Sequence, residues 1–519
     1  MNSFKLTSEQ EHNIALILNK ENKIVAIEAN AGAGKTSTLI TALKDSRCWF
    51  KKGLFLSFNR KIALENAQKV PSFIETKTLH SLAYQYIVKP LKLKVIGSIS
   101  ANDINHSNYK IRNRAKWLLN KFCTSRFVKI KDFLKDEDEQ NISLYEELLK
   151  NTIINMENGK QPIPHAVYMK LFHIHLYANS IKIPEYDVLL GDEFADINGV
   201  FLEVFLNIPA KKKVVVFDRN QNIYTFNHTI NGAKVLIDEY GAISGSLTRT
   251  FRCSLQIAKA VNQFMLNNGF DIQLVGVNRD DLEPETSLFV TRGNRELLSM
   301  IELCMNKEIK FSLARDINNL FDDYIYVKVG IYKEWDKYQE TKKEPRLDGV
   351  KKELWHFFKE WKKEDFGTFK NYIEYKAEND MYFPENIIRL FKTINGFKGS
   401  DLIGMKQYAK ENKDDRFLIG TIFSVKGLQS DIVYISNDLN STTLKVIEKK
   451  IDEKNEIYMY YTACTRAKKI LINAKLLEKR LYEKIEGFDW SFSDFIDNII
   501  KIQGEENGQN RLDNVIGGL

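Results

Sequence analysis

Apolar positions along this chain fall into short unbroken runs separated by amphipathic stretches, which predicts strands and helices in alternation. Ile24-Val25-Ala26-Ile27 has the length of a buried strand and leads through Ala29-Asn30-Ala31-Gly32-Ala33-Gly34 into a helical run, Thr38 to Leu43. Gly53 to Phe58 repeats the strand signal and Arg60 to Lys69 the helical one, while a helix over Ser8 to Lys20 follows a cap at Thr7 or Ser8. Strand, helix, strand, helix implies a parallel sheet with helices on both faces. From about Ala83 to Lys170 the pattern turns irregularly helical, with a mixed-charge run at Lys129 to Glu139, and predicts an inserted helical subdomain. Strand signals return at Tyr186 to Gly191 and Lys213 to Phe217, each run followed at once by an acid. Leu288 to Thr291, Phe417 to Thr421, Asp431 to Ile435 and Lys469 to Ile472 predict a second α/β domain, interrupted by a helical, charged and aromatic stretch from Asn294 to Asp415. The polar, Gly/Asn-rich end from Gln503 to Leu519 predicts a loose tail.

Composition narrows the class. The chain has 519 residues, enough for several domains, and a net charge of +8 from 76 Lys+Arg against 68 Asp+Glu. That mild excess suits a polyanionic partner without demanding one. Five cysteines, Cys48, Cys123, Cys253, Cys304 and Cys464, lie far apart with no C-x-x-C spacing, so neither a zinc site nor a disulfide framework is indicated. No long uncharged apolar run and no leader pattern at Met1 to Gln10 are seen, so a soluble, cytoplasmic protein with no membrane partner is expected.

The stretch from Ala29 to Ser37 reads as a phosphate-binding loop, with Ala29 where the usual pattern has its first Gly. In such a loop the backbone N–H groups of Asn30 to Thr36 face phosphate oxygens, Lys35 reaches the β- and γ-phosphates, and the Thr36 hydroxyl holds Mg²⁺. Asp192 and Glu193 close an apolar strand, placing Asp192 to bind Mg²⁺ and Glu193 to polarise the attacking water. After the next strand, Gln221 offers an amide to sense the γ-phosphate, and Tyr224 and Phe226 offer faces for bases or for the core. His165, His173 and His175 carry no Cys or acid that would complete a metal site, and packing is the simpler reading. Trp355, Phe357, Phe358 and Trp361 at helical spacing read as core of the second insertion, with a partner face as the alternative. Lys211 to Lys213 and Lys449-Lys450 read as solvated ends.

The order of these stretches resembles the UvrD/Rep-like branch of the superfamily 1 DNA helicases. Leu6-Thr7-Ser8-Glu9-Gln10 looks like the Q motif, whose Gln contacts adenine. Ser57 to Ala63 is similar to motif Ia and Thr78-Leu79-His80-Ser81 to motif Ib, which implies single-strand contacts from Phe58, Asn59, Thr78 and His80. Asp192 to Asp196 resembles the Asp-Glu-Ala-Gln-Asp box, and Asp218 to Phe226 resembles motif III. Leu247 to Ser254 looks like motif IV, which implies that Phe251 stacks on adenine and Arg252 contacts the γ-phosphate. Leu418 to Leu428, with Thr421 and Lys426-Gly427-Leu428, looks like motif V, which implies DNA contacts from Thr421 and Lys426, and Gln429 stands where the family's Glu holds the nucleotide's sugar. Tyr461 to Ala467 looks like motif VI, with Arg466 as a second finger. Within the branch, Leu56 to Ala63 and Leu79 to Tyr84 look closest to the F-box DNA helicase-like group, although no F-box is visible.

The resemblance implies two RecA-like P-loop NTPase lobes of α/β class, each with a mainly helical insertion. The first lobe would take 1–82 and 171–246 around an insertion at 83–170; the second would take 247–293 and 416–502 around one at 294–415, with a tail at 503–519. It implies ATP and Mg²⁺ as cofactors, single-stranded DNA and duplex junctions as partners, 3′ to 5′ movement, a protein partner such as a nuclease or repair factor, and a bacterial or phage-type intracellular setting. Several positions depart from the family's pattern. Ala195 replaces the Gln of the acidic box, Phe423 the His of motif V and Gln429 its Glu; Asn227 replaces an Arg, and Gly232-Ala233 comes late. These departures motivate the alternative of a nucleotide-gated DNA-binding ATPase subunit of a repair or defence complex, signalling to a nuclease without productive unwinding. A P-loop kinase or GTPase would leave the two Arg motifs unexplained.

Overall fold

Six short runs assemble into one all-parallel sheet in the order Ile243–Leu247, Ile24–Ala29, Ala210–Phe217, Tyr186–Gly191, Gly53–Ser57, Ile74–Thr78. This is a computed structural model, which describes residues 6–57, 60–137, 139–223, 229–347, 349–364, 366–379, 383–450, 453–477 and 491–516, with the side chains of 61, 229 and 505–516 outside the description. The four inner strands are the apolar runs read from the sequence. The two edge strands carry no such run: Ile74-Glu75-Thr76-Lys77-Thr78 and Ile243-Ser244-Gly245-Ser246-Leu247 face solvent along one side and are correspondingly polar. Because all six strands are parallel, Ala29, Gly191 and Phe217 end along one margin of the sheet. The loops that follow them therefore meet there.

A second all-parallel sheet has five strands in the order Ser312–Leu313, Phe417–Thr421, Ser287–Thr291, Ser430–Ile435, Ala467–Ile472. Ser312 and Leu313 pair with Leu418 and Ile419, so the helix Asn294–Asn306 is a crossover belonging to this sheet. The insertion expected from 294 instead begins beyond Leu313, with the helix Ile317–Ile325; a strand of two residues leaves no hydrophobic run to read.

The first insertion holds the helices Tyr109–Thr124, Ile130–Asp136, Ile142–Glu157 and His165–Tyr177, running past the expected end at 170 because the last helix still buries Leu171, Phe172 and Leu176. The second runs from Ile317–Ile325 to Gly399–Glu411, and its core contains Trp355, Phe357 and Phe358 of the helix Gly349–Trp361. Of the loose tail expected from 503, residues 503–516 lie in the helix Phe492–Ile516, whose first turns are seated by buried Phe495, Ile496 and Ile499. No helix among the described residues is long and apolar enough to cross a membrane.

The two insertions touch. Lys116 pairs with Glu353, which is only 3% exposed, and Lys352 pairs with Asp103 at 2.5 Å. Tyr109 stacks on His356 with ring centroids 5.2 Å apart. A buried carboxylate stripped of its cation bears its full desolvation penalty. Lys116→Met is therefore expected to destabilise by about 3–5 kcal/mol, seen as a lower thermal midpoint, and Lys116→Met/Glu353→Leu to recover most of the loss.

Candidate active site

The loop after Ile24–Ala29 turns through left-handed glycines, Gly32 at φ 72° and Gly34 at φ 80°, before the helix Lys35–Lys44 starts without a side-chain cap. A Cβ on Gly32 would lie 2.6 Å from both Arg252 Cβ and Thr250 Oγ1, so only glycine permits this approach. The open end of the helix faces a cavity of about 660 Å³ lined by Gln10, Gly32 to Ser37, Asp192, Glu193, Gln221, Phe251, Arg252, Gln429 and Arg466. Residues named from seven separate stretches of the sequence thus share one space.

Ala29, Asn30 and Ala31 do not line it. The Asn30 N–H donates to Leu247 O and its side chain to Gln273 O, while the Ala31 N–H donates to the Tyr461 hydroxyl, and these bonds turn the start of the loop away from the cavity. Gln10 caps its own helix, its Oε1 accepting the Thr7 N–H at 3.1 Å, which leaves its amide nitrogen beside Gly34. The Phe251 ring also lies beside Gly34, 3.6 Å from where a Cβ would stand, with its carbonyl held by Arg279.

Two carboxylates sit at the floor. The Thr36 hydroxyl donates to Asp192 Oδ2 at 2.8 Å, and the Glu193 N–H donates to Asp192 Oδ1 at 2.9 Å. Glu193 adopts φ 54°, a left-handed conformation that costs a non-glycine residue of order 1 kcal/mol and aims its side chain at Lys35, 3.7 Å away. Burial pushes the Asp192 carboxyl above the usual carboxylate range, helped by the neighbouring Glu193. Burial also acts against the Glu193 charge, but Lys35, Lys426, Arg466 and Arg252 outweigh it and hold Glu193 below the usual range. A hydroxyl and a carboxylate 2.8 Å apart are hard oxygen donors suited to Mg²⁺, which takes one or two protein oxygens and fills its shell with phosphate and water. Glu193 Oε2 is buried without a hydrogen-bond partner, the state expected of a group awaiting a water.

The cations come from the far side. Arg466 is 1% exposed and donates to Thr462 O, Leu428 O, Gln221 Oε1 at 3.2 Å and Thr465 Oγ1. Arg252 donates from Nε to Gln429 Oε1 and from Nη1 to Thr465 O, each at 2.9 Å. Every one of these acceptors is neutral. Burial and the nearby Arg252 push Arg466 down to about 9, which leaves it charged at neutral pH. Lys426 was expected on the DNA. It is instead buried behind the carboxylates of the cavity floor, paired with Asp196, 3.8 Å from Glu193 and bonded to Gln221 O at 2.8 Å. Asp196 accepts the Ile223 N–H with its other oxygen, so this ion pair links the acidic strand end to the start of motif III behind Ala195, which is itself packed in the core.

A second cavity, of about 880 Å³, opens at the carboxyl ends of Ser287–Thr291 and Phe417–Thr421. Its lining includes Thr421 and Phe423, together with Arg292, Arg315, Arg389 and Lys392, which sequence reasoning missed. These are isolated basic residues on different elements, and no charge run announces them. Arg292 lies over the Phe423 ring at 5.5 Å and pairs with Glu456 at 2.6 Å. Thr78 caps the helix Leu79–Ala83 by accepting the Ser81 N–H. His80, expected to offer a face to a base, packs edge-on against His165, Tyr168 and Phe201, and burial pushes it down to about 4. Phe58, Asn59, Tyr224 and Phe226, with Asn227, lie outside the described residues. Of the three histidines weighed for metal, His165 bonds Tyr168, His175 bonds Glu157 and Ser180, and His173 is fully buried.

The family model described as the UvrD-like helicase C-terminal domain matches residues 98–476. The chain is similar to F-box DNA helicase protein 1 of Schizosaccharomyces pombe, 24% identical over 531 residues that cover 91% of this chain and 57% of that protein. It is also similar to F-box DNA helicase 1 of Gallus gallus, 24% identical over 542 residues, 93% of this chain and 50% of that one. The chain spans about half the length of the curated relatives it matches.

Tyr461 fastens the two sides. Its hydroxyl accepts the Ala31 N–H and donates to Asp218 Oδ2, each at 3.2 Å, and Asp218 also accepts from Gln221 Nε2 at 2.7 Å. Tyr461→Phe leaves the buried Ala31 N–H without an acceptor and is expected to cost about 1–3 kcal/mol, measured as a lower denaturation midpoint.

Proposed function

The chain belongs to the UvrD-like helicase family, and on that footing we propose that it is an ATP-dependent DNA helicase and translocase moving 3′ to 5′ on single-stranded DNA. The observation that carries this reading is the pair of guanidiniums, Arg252 and Arg466, converging on the Lys35 cavity with only neutral acceptors. Two guanidiniums with no carboxylate in direct contact, beside a phosphate-binding loop, suit a polyphosphate whose negative charge grows in the transition state.

In this reading the P-loop N–H groups from Gly32 to Ser37 and Lys35 hold the phosphates, with Gln10 and Phe251 at the base. Mg²⁺ held by Thr36 and Asp192 would neutralise charge on the β- and γ-phosphates. Glu193, ionised through neutral pH by the cations around it, accepts a proton from the attacking water. Gln221 bonds Arg466 in the structure and so stands to report the γ-phosphate to motif III. Arg252 and Arg466 then stabilise the equatorial oxygens. The groove with Arg292, Arg315, Thr421, Phe423, Arg389 and Lys392 is the strand path on the second lobe, where phosphate contacts position and aromatic faces stack.

A second reading keeps the ATPase but assigns the chain to a DNA-gated signalling subunit. It is favoured by Phe423, whose ring is already engaged by an Arg292 that is in turn tied to Glu456. Strand displacement on a 3′-tailed duplex separates the two: ATP hydrolysis without displacement by the isolated chain selects the subunit.

ATP turnover measured side by side with single-stranded DNA, duplex DNA and RNA tests the main reading. Stimulation by single-stranded DNA is expected, and Lys35→Ala should abolish it. Arg466→Ala is expected to cut kcat by roughly 10³-fold or more; a normal rate would remove the two-sided site. In the groove, Arg389→Ala/Lys392→Ala is expected to weaken single-strand binding and to flatten its salt dependence by about 0.7 in log–log slope for each phosphate that is no longer neutralised.

A further inference from the structure

Asp218 directly follows the strand Ala210–Phe217 and is 1% exposed. Its carboxylate receives three donors. The Asn220 N–H donates to Oδ1 at 3.0 Å, while Gln221 Nε2 at 2.7 Å and the Tyr461 hydroxyl at 3.2 Å both donate to Oδ2. Gln221 continues to Arg466, its Oε1 accepting from Nη2 at 3.2 Å. Tyr461 lies on the helix Glu453–Cys464, and Arg466 stands just beyond the end of that helix. The contacts therefore close a ring from Asp218 through Gln221, Arg466 and the helix end to Tyr461 and back. Asp218 and Gln221 enter it from the first sheet, Tyr461 and Arg466 from the second. The other acceptors of Arg466 are Thr462 O, Leu428 O and Thr465 Oγ1, all on its own side, so Gln221 supplies the bond that draws it across the cleft.

One arrangement of protons suits this ring. A carboxylate accepts and cannot donate, a guanidinium donates and cannot accept, and a primary amide has one end of each kind. Gln221 sits between the two. With Nε2 on Asp218 and Oε1 on Arg466 both ends are matched. Reversed, the amide would set oxygen against oxygen and NH2 against guanidinium, with all three side chains buried. The backbone of Gln221 is fixed too, its N–H donating to Asp218 O at 3.1 Å and its carbonyl accepting from Lys426 at 2.8 Å. What remains to be set is the two-fold rotation of the amide about its last torsion. Burial pushes the Asp218 carboxyl above the usual range against the pull of Lys35 and of the Asn220 and Gln221 bonds, and three incoming donors are the pattern of its ionised form.

We propose that Asp218 is a positioning residue for the reaction: its carboxylate decides which end of the Gln221 amide faces Arg466, and so holds that guanidinium aimed at the terminal phosphate of the bound nucleotide. This rests on the ATP-hydrolysis reading above.

The variant Asp218→Asn keeps the shape and reverses the polarity of one atom. Because Oδ1 must still accept the Asn220 N–H, the new NH2 points at Gln221, turns the amide round and sets a donor against Arg466. At saturating ATP and single-stranded DNA, kcat is expected to fall by about 10- to 100-fold, the range of a hydrogen bond to a charged group, with ADP affinity within about twofold of wild type. The loss should not multiply with that of Gln221→Ala: Asp218→Asn/Gln221→Ala should turn over within about twofold of Gln221→Ala alone, because the aspartate acts through the amide. Asp218→Ser, too short to reach Gln221, should likewise lose its effect in the Gln221→Ala background. Wild-type kcat in Asp218→Asn, or losses that multiply in full with Gln221→Ala, would overturn the proposal. Failure of both Asp218 variants to bind ADP would overturn it too, making Asp218 a support of the fold. Wild-type protein that hydrolyses no ATP with any nucleic acid would instead remove the hydrolytic reading, and this one with it.

Discussion

Four cations, Lys35, Lys426, Arg252 and Arg466, stand around Asp192, Glu193 and Asp196 where the margins of two parallel sheets meet, and much of the molecule serves to hold that concentration of charge. Only part of it is internally compensated. Lys426 is matched by Asp196 and Lys35 by Glu193, whereas the two guanidiniums rest on carbonyl, hydroxyl and amide oxygens. Burying unpaired charge is costly, and proteins rarely retain it without a ligand to use it. For buried Arg466 the cost is tolerated because its Nε, Nη1 and Nη2 each find a protein oxygen, with the Glu193 charge nearby.

Parallel topology is what makes such a meeting possible. With all strands of a sheet running one way, every loop that follows a strand emerges on the same margin, and residues more than 400 positions apart become neighbours: Ala31 bonds Tyr461 across a separation of 430. The inner strands were legible because strands buried on both faces must be continuously apolar, as in Val214-Val215-Val216-Phe217. Edge strands escape that requirement, so Ile74–Thr78 and Ile243–Leu247 left no mark. Nor did Ser312–Leu313, although it moves a whole helix from the insertion into the second sheet.

The site was legible wherever chemistry dictates a local string, as in Gly34-Lys35-Thr36 or Asp192-Glu193, because adjacent residues must act on one phosphate or one metal. It was not legible where partners are chosen in three dimensions. Nothing near Lys426 in the chain reveals Asp196 as its partner, and nothing near His80 reveals the rings of His165, Tyr168 and Phe201 that enclose it. The start of the P-loop shows the same limit: a pattern supplies Ala29, Asn30 and Ala31 as phosphate neighbours, while the fold commits the N–H groups of Asn30 and Ala31 to Leu247 and Tyr461. The substitutions at Ala195 and Gln429 are likewise explicable only in space. Beside Ala195, Asp196 and Lys426 already bridge to Ile223 and Gln221, and Gln429 is the acceptor that Arg252 meets.

The two sheets are also joined at a second place, and that limits how they can move. At the cleft they meet through Tyr461, Lys426, Arg466 and Phe251; away from it, the insertions meet through the buried Lys116–Glu353 pair, Lys352–Asp103 and the Tyr109–His356 stack. A body held at two separated points cannot hinge about one of them without straining the other. Any opening of the cleft therefore either flexes the insertions or separates the Lys116–Glu353 pair and exposes both charges to water. On the proposed reading, the contact between the insertions is the second joint that a closing cleft has to accommodate.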